Sequence, residues 1–151
     1  MNKYRKSDQN YVDALPDIEA ALNRVRLQGP PVILFGSSYS ASLSLRAAAD
    51  NPNLVAAVLA FSPGEYFGDP HFSRNAARDA TVPVYISQSS KAEEIAQSRA
   101  IFDNLTGTKT MFVPRNGGVH GASTLRKDRN PHGEDETWSA VLKFLQALTL
   151  R

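Results

Sequence analysis

The pentapeptide Gly36-Ser37-Ser38-Tyr39-Ser40 follows the apolar run "VILF" (32–35) and precedes a stretch rich in alanine and leucine. A serine at the centre of Gly-x-Ser-x-small, on a sharp turn between a strand and a helix, is held out toward solvent, where its hydroxyl can attack a carbonyl. Small residues are needed two positions either side because strand and helix leave the turn at close quarters. Ser40 stands where glycine is usual, and Ala41 behind it is also small. The plainer reading is an ordinary loop of one glycine and three serines that ends a strand. A hydroxyl is a poor nucleophile until a base takes its proton, and histidine is the usual base. Of the three histidines, His120 lies in "NGGVHGAS" (116–123), on a glycine-flanked loop able to bend toward Ser38. His71 and His132 each sit beside proline in polar segments and read as surface residues.

Ser38 and His120 can meet only if the elements between them form a sheet with both at one end. Val12, Leu15, Ile18, Leu22 and Val25 recur at helical spacing over about 9–27, and Gly29-Pro30-Pro31 ends that helix. A short, wholly apolar strand over 32–35 follows, of the kind buried on both faces. Residues 39–50 carry Ala41, Leu45 and Ala48 on one helical face and stop at Asn51-Pro52. Strands are predicted at 54–61, 82–87 and 108–113, with a long irregular stretch from 62 to about 81. Residues 92–104 read as a helix with Ile95, Ala96, Arg99 and Phe102 on a common side. Residues 136–148 form a last helix striped by Trp138, Val141, Leu142, Leu145 and Leu148. Alternating strands and helices predict an α/β fold, a short and mostly parallel sheet of about four strands flanked by helices. In such sheets reactive groups gather at the carboxyl ends of the strands, where both Ser38 and His120 fall.

Composition narrows the function. A chain of 151 residues with 42% hydrophobic content supports one domain, 1–151, with a real core. Seventeen basic against fifteen acidic residues give a net charge of +2, too slight to call for nucleic acid or an anionic membrane. Arg5-Lys6 and "RKDR" (126–129) read as solvated surface. With no cysteine there is no disulfide, thiolate metal site or cysteine nucleophile. The three histidines show no metal-ligand spacing, and no phosphate-cradling glycine loop is present, so neither metal nor cofactor is expected. The longest apolar run, "LVAAVLAF" (54–61), is far short of the roughly 20 residues of a membrane helix. The opening "MNKYRKSDQN" has no apolar signal stretch, and the expectation is a cytoplasmic protein. A different class, a non-catalytic α/β binding or assembly module, stays open beside the enzyme.

The "LFGSSYSA" elbow, the strand ending "FSPGEY", the strand "VPVYIS" and the histidine of "GGVHG" before a terminal amphipathic helix together resemble the carboxyl-terminal half of an α/β hydrolase, close to the dienelactone hydrolase-like esterases. The resemblance runs from about residue 30 onward. It implies a reduced α/β-hydrolase core and a serine esterase acting on a small ester or lactone, its triad in the order serine, acid, histidine. The family's acid follows the third of these strands, in "SQSSKAEE" (87–94), which makes Glu93 the first candidate. Glu94 points roughly 100° away on the same helix, so only one of the two can face His120. Glu65, after the second strand, is the third candidate. The backbone N–H of Tyr39 is the implied oxyanion donor. A second donor comes, in the family, from a loop after an earlier strand, and residues 1–30 supply one helix in place of about four strands. A fragment, a minimal enzyme and a relative without catalysis all fit that departure. The elbow strand, 32–35, would then lie at an open edge, which predicts a homodimer paired antiparallel through it.

Overall fold

The computed structural model describes residues 11–29 and 31–148. The opening decapeptide with Arg5-Lys6, the helix start before residue 11, the Val12 side chain and Pro30 lie outside what is described. Four strands, β1 (Val32–Ser37), β2 (Val55–Phe61), β3 (Val84–Ser87) and β4 (Lys109–Phe112), form one parallel sheet in the order β1-β2-β3-β4. Five α-helices flank it: α1 (Leu15–Val25), α2 (Tyr39–Asp50), α3 (Phe72–Asp79), α4 (Ala92–Asn104) and α5 (Glu134–Ala147). No helix among the described residues is long and apolar enough to cross a membrane.

Strand pleating divides the core into two. On one face Val55, Val58 and Ala60 of β2 and Val84 and Ile86 of β3 pack against Leu22 of α1, Ala41, Leu45 and Ala48 of α2, Ala76 and Ala77 of α3, and Ile101 of α4. On the other, Ala57, Leu59 and Phe61 join Tyr85 beneath Val141 and Phe144 of α5. β2 is thus covered on both faces, as its unbroken apolar run predicts. β1 pairs only with β2 among the described residues, so the elbow strand stands at the edge of the sheet, and its residues 32–35 are half-buried or exposed rather than buried on both faces as their apolar run predicts. Phe35 there is about half exposed and stacks on Phe61, ring centroids 4.9 Å apart.

Three differences from the periodicity have physical causes. The stretch 62–81 contains α3, which the sequence hides because its core face is only Ser73, Ala76 and Ala77. Its start is set by a distant group: the Glu65 carboxylate accepts the N–H groups of Ser73 (2.8 Å) and Arg74 (3.1 Å). In α5 the buried face is Thr137, Val141 and Phe144, while Trp138 and Leu142 turn outward. Trp138 does so because its indole N–H donates to the Leu125 carbonyl (2.9 Å), anchoring the ring on the 3₁₀ turn Gly121–Leu125. In α4 the inner residues are Ser98 and Ile101, with Ala96 and Arg99 exposed; Ser98 donates to the Pro63 carbonyl (3.2 Å).

Candidate active site

The site begins at the junction of β1 and α2. Ser38 has φ 59° and ψ −129°, a conformation that costs a non-glycine residue roughly 1–3 kcal/mol and persists only when its surroundings enforce it. Here they do. The Ser38 N–H donates to the Phe61 carbonyl (2.8 Å), prolonging the β1–β2 ladder, and the Ala41 N–H donates to the Ser38 carbonyl (2.9 Å). Ser40 closes the turn with its hydroxyl, which accepts from the Ser37 N–H (2.9 Å) and donates to the Ser37 carbonyl (2.8 Å). That bracket accounts for serine where glycine is usual. Gly36 has no such latitude, because a Cβ there would meet the Ser40 carbonyl oxygen and lie 2.5 Å from Ala41 Cα.

His120 arrives on the loop after β4. Its neighbour Gly121, at φ 67°, packs so closely on the elbow that a Cβ would strike the Ser37 hydroxyl. The Ala122 N–H donates to that same hydroxyl (2.9 Å), locking the histidine loop to the strand end. His120 Nε2 lies 2.9 Å from Ser38 Oγ, and Nδ1 lies 3.0 Å from Glu94 Oε2. A carboxylate only accepts, so Nδ1 carries the hydrogen of the neutral ring and Nε2 offers its lone pair to the Ser38 hydroxyl. Residues 82 positions apart in the chain are thereby set for proton transfer from oxygen to nitrogen.

The acid in contact is Glu94. Glu93, the first candidate from the sequence, is exposed on the outer side of the first turn of α4, and the 100° step between successive helical residues separates the two. Glu65 is engaged elsewhere, capping α3 and pairing with Arg74 Nε at 3.2 Å. Partial burial works against ionisation of the Glu94 carboxyl. Hydrogen bonds from His120, Ser89 and Ser62, with the charge of a protonated imidazole, outweigh it and hold the group below the ordinary carboxylate range. Lys91 Nζ stands 3.9 Å from the other carboxylate oxygen. His71 and His132 are exposed, as their polar surroundings predict.

The loop after β2 contributes what the residue types alone did not mark. Ser62, at φ 52°, directs its hydroxyl to Glu94 Oε2 (3.3 Å) and accepts the Gly121 N–H (2.8 Å). The Tyr66 hydroxyl donates to the Ser62 carbonyl (2.8 Å) and reaches the Ser38 hydroxyl. Burial, offset in part by that Ser38 contact and reinforced by the Glu94 charge, raises the phenol so that it stays protonated. Gly64 lets the Tyr66 ring lie against the backbone, since a Cβ would come 2.9 Å from its Cζ. The signal was present: "FSPGEY" places Ser62 at a strand end, like Ser38 one strand over, but attention to acids singles out only Glu65.

Tyr39 opens α2 and its side chain is partly exposed beside the elbow. No strand flanks β1 on its outer side among the described residues, so no loop from such a strand reaches the oxyanion position.

No protein-family model matches the chain, and no curated protein sequence matches it. Solved structures do. The dienelactone hydrolase of Anabaena variabilis ATCC 29413 aligns over 93% of this chain and 58% of its own at 19% identity and TM-score 0.64. The monoacylglycerol lipase of Paleococcus ferrophilus aligns over 93% of this chain and 77% of its own, at 15% identity and TM-score 0.66. Est1E of Butyrivibrio proteoclasticus, solved with ferulic acid bound, aligns over 93% and 70%, at 16% identity and TM-score 0.70. This chain therefore spans 58% of the length of the dienelactone hydrolase it matches. With four parallel strands flanked by five helices, and the serine elbow at the end of the first, the chain has the fold of the α/β hydrolases.

Proposed function

We propose that the protein is a serine hydrolase that cleaves a small ester or lactone. The observation that carries the reading is the unbroken relay from Ser38 through His120 to Glu94, 2.9 and 3.0 Å, on an elbow held at positive φ. Ser38 Oγ attacks the carbonyl carbon while its proton passes to His120 Nε2. The carbonyl π electrons move onto oxygen, giving a tetrahedral oxyanion. Collapse expels the alcohol, which takes the proton back from Nε2. Water then repeats the cycle on the acyl-serine, the proton again passing through His120, and frees the acid. Glu94 holds the ring in the tautomer this needs and stabilises the imidazolium when it forms. The Tyr39 N–H, at the positive end of the α2 dipole, is the first oxyanion donor. That several solved structures of this fold are named esterases, lipases or hydrolases supports the class. The test is a fluorophosphonate probe followed by peptide mapping. We expect label on Ser38 that disappears in His120→Ala; absence of label, or equal label in both, favours a non-catalytic binding module.

A second proposal follows from the position of β1. Residues 33–37 are regular and uncharged, and beyond the irregularity at Val32/Ile33 nothing among the described residues pairs with the outer edge of β1. We propose that a second copy occupies it, β1 against β1 across a two-fold axis, bringing the half-exposed Phe35 of each copy to the joint. The two Ser38 sites then lie at opposite ends of an eight-stranded sheet. Sedimentation at micromolar concentration is expected to show a dimer that Phe35→Lys converts to monomer; a monomer at every concentration overturns this proposal.

A further inference from the structure

We infer that Ser62 is a positioning residue that sets Glu94 and His120 relative to one another through a single hydroxyl. The inference rests on the hydrolase reading above and deepens it.

Ser62 is fully buried, with 1% of its surface exposed, and all of its polar functions are engaged. Its N–H donates to the Ser87 carbonyl (2.6 Å) at the end of β3, and its carbonyl accepts the Tyr66 hydroxyl (2.8 Å). Its Oγ accepts the N–H of Gly121, the residue after the histidine (2.8 Å). A hydroxyl has one hydrogen, and this one points to Glu94 Oε2 (3.3 Å), the same oxygen that receives His120 Nδ1. One oxygen atom therefore touches both halves of the histidine–carboxylate contact: the backbone that carries the ring, and the oxygen that orients it.

The backbone at this position argues that the side chain is what matters. A φ of 52° is glycine's territory, and serine adopts it at a cost. The surrounding loop is built to hold it there. Ser42 of α2 (2.8 Å) and Ser73 of α3 (2.7 Å) donate to the Gly64 carbonyl, and Ser98 of α4 donates to the Pro63 carbonyl (3.2 Å). Three buried hydroxyls from three helices thus fix two consecutive peptides beside Ser62. A loop so restrained can hold a group to the few tenths of an ångström on which proton transfer depends.

The experiment is a double-mutant cycle on a chromogenic short-chain ester, with Ser62→Gly, Glu94→Gln and the pair. Glycine accepts the positive φ, so Ser62→Gly removes the hydroxymethyl group and relieves the strain; Ser62→Ala removes the hydroxyl alone while keeping the strain. We expect kcat to fall about 10- to 100-fold in Ser62→Gly with KM within about twofold, and similarly in Ser62→Ala at lower thermal stability. On the Glu94→Gln background the further loss should shrink to less than about threefold, because the hydroxyl acts through a carboxylate already gone. Wild-type turnover by Ser62→Gly, a loss carried by KM alone, or an undiminished loss on the Glu94→Gln background overturns the inference. Failure of the hydrolase reading looks different: wild-type Ser38 then takes no fluorophosphonate label, and this inference falls with it.

Discussion

Ser38→Ala is expected to reduce ester turnover to the background of the unassisted site, a loss in kcat of about 10⁶-fold, with His120→Ala nearly as severe and the double variant no worse than either. In the proposed mechanism Ser38 and His120 act as one unit, so removing either leaves nothing for the other to do. No neighbour can replace Ser38. The Ser37 hydroxyl is held by the Ala122 N–H and packed against Gly121, and Ser40 is spent closing the turn. The same substitution series should separate catalysis from stability. Ser38 is strained at φ 59°, and Ser38→Gly relieves that strain, so glycine here is expected to raise the unfolding free energy by roughly 1 kcal/mol while abolishing activity. Steady-state kinetics and chemical denaturation on the same preparations measure both. An active Ser38→Ala overturns the assignment of the nucleophile.

β1, β2 and β3 were legible because each is built on a short apolar run closed by turn residues, and β2, buried on both faces, was the plainest of them; β4, Lys109–Phe112, is apolar only in its second half. The elbow and the histidine were legible for a related reason: Gly36 beside Ser38 and the glycines around His120 are demanded by local geometry, and local geometry leaves its mark on adjacent residues. What stayed hidden depends on groups distant in sequence. α3 starts where Glu65 supplies acceptors for its first N–H groups, and its own residues show only small side chains. The outward turn of Trp138 depends on a carbonyl thirteen residues earlier. The choice between Glu93 and Glu94 rests on the rotation of α4 about its axis. The periodicity suggested a rotation through Ala96 and Arg99 that differs from the actual one through Ser98 and Ile101. An inner face through Glu94, Ser98 and Ile101, at steps of four and three, is the one that turns Glu94 toward His120.

Glu94→Gln is expected to lower kcat by about 10⁴-fold, whereas Glu93→Gln stays within about twofold of the parent and Glu65→Gln loses stability rather than chemistry. The geometry dictates the ranking. An amide at 94 offers His120 Nδ1 either a carbonyl oxygen or an NH₂ group, and an imidazole that accepts from the NH₂ must carry its hydrogen on Nε2, where it cannot take the Ser38 proton. A neutral amide also does nothing for the imidazolium that forms in the transition state. Glu93 touches none of this, being exposed one residue earlier. Glu65 holds two N–H groups of α3 and Arg74, so its loss should cost on the order of 1 kcal/mol of folding stability, seen as a lower Tm. The pH dependence of stability gives an independent check on Glu94. Burial alone would raise its carboxyl, but the hydrogen bonds from His120, Ser89 and Ser62 leave it depressed in the folded state. A depressed carboxyl stabilises the fold above its unfolded value, and that contribution disappears as pH falls through the folded one. Glu94→Gln lacks the contribution at every pH. The Tm gap between the two proteins should be widest near neutrality and close as the solution is acidified below the ordinary carboxylate range. A gap that widens toward acid would show that Glu94 is held in its protonated form, and the carboxylate that orients His120 would have to be sought elsewhere.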